Sequence, residues 1–308
     1  MHKSILDTAN RIKGLKIQGA RNVAIAAVKT IEEAARESKA KQKAEFLKDL
    51  SEAKSVLFSS RETEPLMRNG IRHIIHAVES SDKKSTRELV SVVSQVSSRF
   101  LEALESSKEK IAAVGSKRIL RHSKVLTHCH SSTVTNMLRK AKLEGKTFEV
   151  ICTESRPVFQ GRITVKEMLD AGIKTTLIVD SAVRHFMNEI DLVVVGADAI
   201  TSEGNVVNKI GTSMVALAAK EARTPFYVVS ELLKFDPATI RGDYERIEER
   251  SAKEVWADPP SGLIIRNPAF DVTRREFIHG IICEEGIISP HSISELVHRK
   301  HPWIFETT

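Results

Sequence analysis

The sequence has no long apolar run, no paired cysteines and few aromatic side chains, and each absence excludes a class of protein. No stretch of the 308 residues reaches the ~18 consecutive apolar positions that a membrane span needs. The polar start over residues 1–10 lacks the apolar core of a secretory signal. A cytoplasmic protein that engages no membrane is expected. Cys129, Cys152 and Cys283 are an odd number without a Cys-x-x-Cys spacing, so neither a disulfide framework nor a zinc knuckle is indicated. No Gly-x-Gly-x-x-Gly follows the first apolar run and no Walker loop occurs, which argues against dinucleotide enzymes and nucleotide hydrolases. No cofactor and no metal are expected. The net charge of +7 raises the question of nucleic acid, and residues 1–110 carry 21 Lys and Arg against 15 Asp and Glu. That excess is diluted by acids and has almost no rings beside it for base stacking. No nucleic-acid partner is expected; small phosphorylated ligands account for the charge equally well.

What is present suffices for a large core, with 41% hydrophobic residues. Residues 1–110 are rich in Ala, Lys, Glu, Ser and Leu, and Val23, Ala26, Ala27, Thr30, Ile31 and Ala34 recur at helical spacing. Breaks are expected at Gly14 and Gly19, and again at Pro65 with Asn69-Gly70. A long amphipathic stretch over residues 84–113 follows. After Gly115 the texture changes to short β-branched runs at 125–127, 148–152, 175–179, 192–195, 226–229 and 263–265, alternating with helical segments. Runs apolar on both faces indicate a parallel sheet covered by helices on both sides. The expected fold is therefore α/β: an N-terminal helical domain over 1–113, then a Rossmann-like, doubly wound parallel-sheet domain over 114–308.

Ligands of such sheets bind beyond the carboxyl ends of the strands. The first run ends in Thr127-His128-Cys129-His130-Ser131-Ser132, with a helix starting near Ser132. A cysteine there has its thiolate stabilised by the helix dipole and a nearby imidazolium, which makes it a base or nucleophile. The plainer alternative is one more buried small residue, which is how Cys152 and Cys283 read. Zinc held by the two histidines and the thiol lacks a fourth ligand nearby. After the second run, Arg156 either grips a phosphate or pairs with a glutamate to shape its loop. After the third, Ser181 reads as the N-cap of a helix through His185. The fourth run leads to Asp198, a carboxylate beyond an apolar strand that serves either acid-base chemistry or loop order. Asn208 and Lys209, with the start of the Ala-rich helix after Gly211, form a candidate phosphate seat, and Lys234 adds a cation after the fifth run. One thiol, one carboxylate and several phosphate donors suit cofactor-free proton shuttling on a phosphorylated sugar.

The stretches 127–131, 153–162, 179–187, 196–212 and 267–273 together resemble the archaeal ribose-1,5-bisphosphate isomerases. These belong to the family shared with methylthioribose-1-phosphate isomerase and the regulatory alpha, beta and delta subunits of translation initiation factor 2B. The Cys129-His130-Ser131 sequence is similar to that of the bisphosphate isomerases in particular. The resemblance implies an aldose-ketose isomerase that converts ribose 1,5-bisphosphate to ribulose 1,5-bisphosphate in nucleoside monophosphate metabolism. It implies Cys129 as proton acceptor and Asp198 as proton donor, the donor kept protonated by desolvation. It further implies substrate contacts from Gln18, Gly19, Ala20, Arg21, Arg61, Ser131, Ser132, Thr133, Asn208, Lys209 and Lys234. An adenosine monophosphate activator and a homodimer or homohexamer are implied as well. The alternatives are a non-enzymatic regulatory protein similar to the initiation-factor subunits, and a methylthioribose-1-phosphate isomerase. Two departures stand out: Gln18-Gly19-Ala20-Arg21 where relatives have Arg-Gly-Ala-Gly, and Arg61-Glu62-Thr63-Glu64-Pro65 where they have Arg-Pro-Thr. An acid facing a phosphate at Glu62 or Glu64 would oppose binding.

Overall fold

The computed structural model describes residues 3–61, 63–243 and 247–306, so the expectation placed on Glu62 lies outside the described residues. The N-terminal part is a bundle of five helices: α1 (Lys3–Lys13), α2 (Ala20–Glu37), α3 (Lys43–Phe58), α4 (Pro65–Ser80) and α5 (Thr86–Ser116). Gly14 and Gly19 lie between α1 and α2, as expected. Asn69-Gly70 does not break the chain, because both residues sit inside α4, fully buried. Pro65 starts that helix at its first turn, where no backbone N–H is missed. Gly70 is there for packing, since a Cβ on it would lie 2.8 Å from the Phe100 ring of α5.

The second part follows as β1 (Lys124–Thr127), α6 (Ser132–Leu143), β2 (Glu149–Thr153), α7 (Gly161–Asp170), β3 (Lys174–Ile178), α8 (Val183–Phe186) and β4 (Leu192–Val195). Then come β5 (Ala199–Thr201), β6 (Val206–Lys209), α9 (Thr212–Ala222), β7 (Phe226–Val229), β8 (Phe235–Asp236), β9 (Phe270–Thr273), β10 (Gly280–Cys283) and β11 (Gly286–Ile288). Two short helices, α10 (Ile293–Lys300) and α11 (Trp303–Glu306), end the described chain. The main sheet runs β11-β10-β7-β4-β1-β2-β3, parallel except for the antiparallel β10–β11 pair. The α/β expectation is met, with a mixed, largely parallel sheet. Residues 263–265 are not a strand: Leu263 and Ile264 are exposed in irregular chain. That apolar run lacks any partner edge. A second sheet, β8-β5-β6-β9, was not foreseen.

Successive strand residues serve opposite faces. Leu126, Ile151, Val193, Val195, Val228 and Ile281 share a core with the bundle and α9, whereas Val125, Val150, Val194, Val229 and Ile282 pack with α6 and α7. Each such side chain contributes ~1.5–3 kcal/mol by burial. Cys152 and Cys283 are both fully buried, on opposite faces, as core residues. Among the described residues no helix is long and apolar enough to cross a membrane.

Candidate active site

Chain order reverses between β1 and β4, which pair directly through Val125↔Leu192 and Leu126↔Val193. This switch point splays the following loops apart and leaves a crevice beyond the strand ends. Cys129 follows β1 and Asp198 follows β4, so the two candidate reacting groups flank it. They line a cavity of ≈ 450 Å³. All eleven expected substrate-contact residues line the same cavity: Gln18 to Arg21 and Arg61 from the bundle, Ser131 to Thr133 beside β1, and Asn208, Lys209 and Lys234 around the second sheet. The bundle thus closes over the strand ends.

Two helix N-termini open on this space. Ser131 caps α6, its hydroxyl accepting from the Val134 N–H, and Ser132 and Thr133 follow at the wall. The cap approaches β4 so closely that a Cβ on Gly196 would lie 2.7 Å from that of Ser131. Gly19 precedes α2 and provides no side-chain cap, leaving the first-turn N–H groups of an 18-residue helix beside the cavity. Gln18 stands exposed at the rim, donating to the Leu15 carbonyl. The start of α9 does not complete the expected phosphate seat. Its Gly211 and Ser213 N–H groups and the Ser213 hydroxyl already donate to Asp271. That carboxylate occupies the helix end where an anion was expected.

The cations differ in how far they are engaged. Lys209 lies 5.0 Å from the Phe270 ring centre and has no ion-pair partner among the described residues. Arg61 lies 5.9 Å from the same ring, with Nε and Nη1 free of hydrogen bonds. Lys234 instead donates to the Ala197 carbonyl at 2.8 Å and lies 3.4 Å from Glu231. Arg21 donates to the Leu104 carbonyl and to Glu105, with Glu231 at 3.5 Å. Burial alone would raise the Glu231 carboxyl, but the charges of Lys234 and Arg21 outweigh it and hold it below the usual range. Phe270 and Asp271 fall in the family-like stretch 267–273 and Glu231 follows the fifth run, but the sequence assigned none of them a role, because their contacts arise from chain segments brought together only by folding.

Cys129 differs from its expected chemistry. Burial pushes its thiol up to about 11, with Lys209 and the His130 N–H opposing. No imidazolium supports it. His128 is buried, its Nε2 donates to the Ile210 carbonyl at 2.9 Å, and its Nδ1 meets the Thr153 hydroxyl at 2.6 Å. Burial lowers its pKa, so the ring is neutral. Cys129 itself is part-buried and lines the cavity. Asp198 is half-buried, its N–H donating to Val207. Arg156 does not line the cavity and pairs with no glutamate among the described residues; it donates to the Val255 carbonyl. The loop's Arg–Glu pair is Arg162 with Glu154, at 3.5 Å. Ser181 caps nothing: it sits within a 3-10 turn, and α8 has no side-chain cap. Asp180 orders that corner by accepting the Ser155 and Arg156 N–H groups.

Fold and site together define an α/β protein whose cation-lined cavity opens at the switch point of its sheet. Residues 16–290 match the initiation factor 2 subunit family, and the chain belongs to it, among the ribose-1,5-bisphosphate isomerases. It is 43% identical over 290 residues to the ribose 1,5-bisphosphate isomerase of Archaeoglobus fulgidus, covering 94% of this chain and 90% of that one. It is 40% identical over 302 residues to the enzyme of that name from Methanocaldococcus jannaschii, covering 97% and 96%. A crystal structure described as translation initiation factor eIF-2B of Pyrococcus horikoshii superposes with a TM-score of 0.82 at 30% identity, covering 94% of this chain and 98% of that one.

Proposed function

We infer that the protein isomerises ribose 1,5-bisphosphate to ribulose 1,5-bisphosphate. The observation that carries this reading is the placement of Cys129 and Asp198 at the switch point, in one cavity with two helix N-termini, the cation Lys209, and Arg61, whose Nε and Nη1 make no hydrogen bond. A bisphosphate has two dianionic ends, and a helix N-terminus with a cation suits each.

The chemistry follows from the substrate. Phosphate on the anomeric carbon masks the aldehyde, so the ring opens first. Asp198 gives a proton to the ring oxygen as the bond from that oxygen to carbon 1 breaks. Cys129 then takes the proton from carbon 2, forming an enol between carbons 1 and 2. A proton returns to carbon 1, and the hydroxyl on carbon 2 gives its proton back to Asp198 as the ketone forms. The acceptor must be a thiolate, whereas the thiol is the resting form at neutral pH. One internal transfer, from thiol to the Asp198 carboxylate, produces the reactive acid and base together without changing the proton count. Lys209 favours the thiolate so formed.

The test is to offer purified ribose 1,5-bisphosphate and follow ribulose 1,5-bisphosphate with a coupled carboxylase. Turnover is expected, and Cys129→Ser and Asp198→Asn should each lower it by about a hundredfold or more with the fold retained by circular dichroism. Near-parental rates in either variant would remove that residue from the mechanism. The solved relative described as an initiation factor favours a second reading, a regulatory protein that binds the ligand without converting it; ligand binding without turnover would select it. Activation by adenosine monophosphate and a dimeric or hexameric assembly belong to the same proposal. Kinetics with and without the nucleotide, and sedimentation, decide them.

A further inference from the structure

Glu64 has no part in the chemistry above, yet its surroundings set it apart from other acids. It precedes α4, is wholly enclosed, and neither carboxyl oxygen has a hydrogen-bond partner among the described residues. Arg61 Nε lies 3.3 Å from its Oε2, close enough for an ion pair but not aligned for a hydrogen bond. Arg61 is part of the cavity wall, whereas Glu64 lies behind it. An arriving phosphate dianion would therefore place a second anion on one guanidinium, with an enclosed carboxylate on its far side. Such a carboxylate cannot turn to water, and an uncompensated buried charge is strongly unfavourable.

We propose that Glu64 is the proton acceptor of phosphate binding: as the phosphate pairs with Arg61 it displaces the Arg61–Glu64 ion pair, and Glu64 takes one proton from solvent. This rests on the reading that the cavity binds a phosphorylated sugar. The balance is simple: the guanidinium keeps its charge, one O–H bond forms on Glu64, and one solvent proton is consumed. The groups that face Glu64 make the exchange accessible. Burial is the largest influence and Asp198 adds to it, against Arg61, Lys234 and Arg68, so the carboxyl is pushed up to about 7. Above that pH the free protein holds Glu64 ionised and binding must take up a proton, so affinity falls as pH rises. Below it Glu64 already carries the proton and this dependence disappears. The proposal also removes the conflict expected between an acid at this position and a phosphate.

The experiment is calorimetric titration of the full chain at about pH 8 with ribulose 1,5-bisphosphate and, separately, inorganic phosphate, in buffers of unlike ionisation enthalpy. The parent is expected to take up close to one proton per site, and its affinity should fall about tenfold per pH unit above neutrality. Glu64→Gln should show neither effect. An infrared carboxylic-acid band appearing when ligand binds the parent is a second readout that needs no variant. Equal proton uptake in parent and variant, or binding to the parent with neither uptake nor band, overturns the proposal. If inorganic phosphate binds with proton uptake while the sugar does not bind, the substrate reading fails and this one stands. If the sugar binds and turns over without uptake, the reverse holds, and absence of any phosphate binding overturns both.

Discussion

Cys129 adopts a left-handed backbone, with φ 66, that a residue with a Cβ avoids at a cost on the order of 1 kcal/mol. Two hydrogen bonds hold it there: its N–H donates to the Ser155 hydroxyl at 2.8 Å, and its carbonyl accepts from Thr164 at 3.0 Å. The strain turns the thiol into the crevice instead of back along β1. Lys209 and Lys234 look equivalent in the sequence, each a cation beyond a strand, but their partners separate them. Lys209→Ala removes a cation with no ion-pair partner among the described residues and only the Phe270 ring beside it, so we expect KM to rise about tenfold or more with at most about 1 kcal/mol of stability lost with that contact. Lys234→Ala leaves Glu231 enclosed with one cation fewer and releases the Ala197 carbonyl beside Asp198. It should cost roughly 3 kcal/mol of stability, as for a broken buried pair. Steady-state kinetics with denaturant titration distinguish them; identical profiles for the two variants would dissolve the distinction. Position after a strand exposed these residues in the sequence, whereas what each one touches was not legible, since Glu231, Phe270 and Ala197 reach them only through the folded topology.

Among the elements, α4 shows where local reading fails. Asn69-Gly70 has the composition of a turn, yet Asn69 donates to the Leu233 and Phe235 carbonyls, tying the bundle to the loop after β7 and the start of β8. Turn propensity is a local preference of a few tenths to 1 kcal/mol, and burial of a whole helix face outweighs it. The same residues yield a prediction in which two effects oppose. Gly70→Ala gains ~1 kcal/mol of helix propensity. It also forces a methyl to within 2.8 Å of the Phe100 ring and 3.1 Å of Val28, and overpacking of that kind costs ~1–3 kcal/mol. Net destabilisation of about 1 kcal/mol is therefore expected from thermal or urea unfolding, and a stabilised variant would mean that the α2, α4 and α5 contact is looser than these distances. The parallel strands were legible because β-branched runs buried on two faces leave few alternatives. Residues 263–265 have the same composition without a neighbouring edge, and the mixed second sheet is built from strands of two to four residues, too short for a periodic pattern.

At the scale of the whole molecule, the bundle walls the cavity beyond the strand ends, which on the proposed mechanism is where one sugar is told from another. On the proposed mechanism Cys129 and Asp198 act only around the ring oxygen and carbons 1 and 2, so selectivity is expected from the wall that α2 and the chain before α4 supply. Arg21 and Arg61 were the two candidates for a second cationic end. Arg21 is occupied by Leu104, Glu105 and Glu231, and its loss should harm stability and both sugars alike. Arg61 keeps buried N–H groups without hydrogen-bond partners at the cavity wall. Ribose 1,5-bisphosphate can satisfy them with its second phosphate, whereas methylthioribose 1-phosphate brings a thiomethyl group that accepts almost nothing and leaves them with the misaligned Glu64 carboxylate alone and no hydrogen bond. A site built to pair a polar group rejects an analogue lacking it far more strongly than an apolar pocket rejects a size change. The specificity constant for the bisphosphate should therefore exceed that for the methylthio sugar by roughly a hundredfold or more. Arg61→Ala should shrink this ratio by lowering the bisphosphate constant much more than its competitor's, while Arg21→Ala leaves the ratio within about threefold of the parent. Side-by-side kinetics, with a carboxylase-coupled assay for one product and chromatography for the other, measure both constants. An equal or reversed preference in the parent would place the chain on the methylthioribose branch, and a ratio unmoved by Arg61→Ala would locate the second phosphate at the open N-terminus of α2 instead.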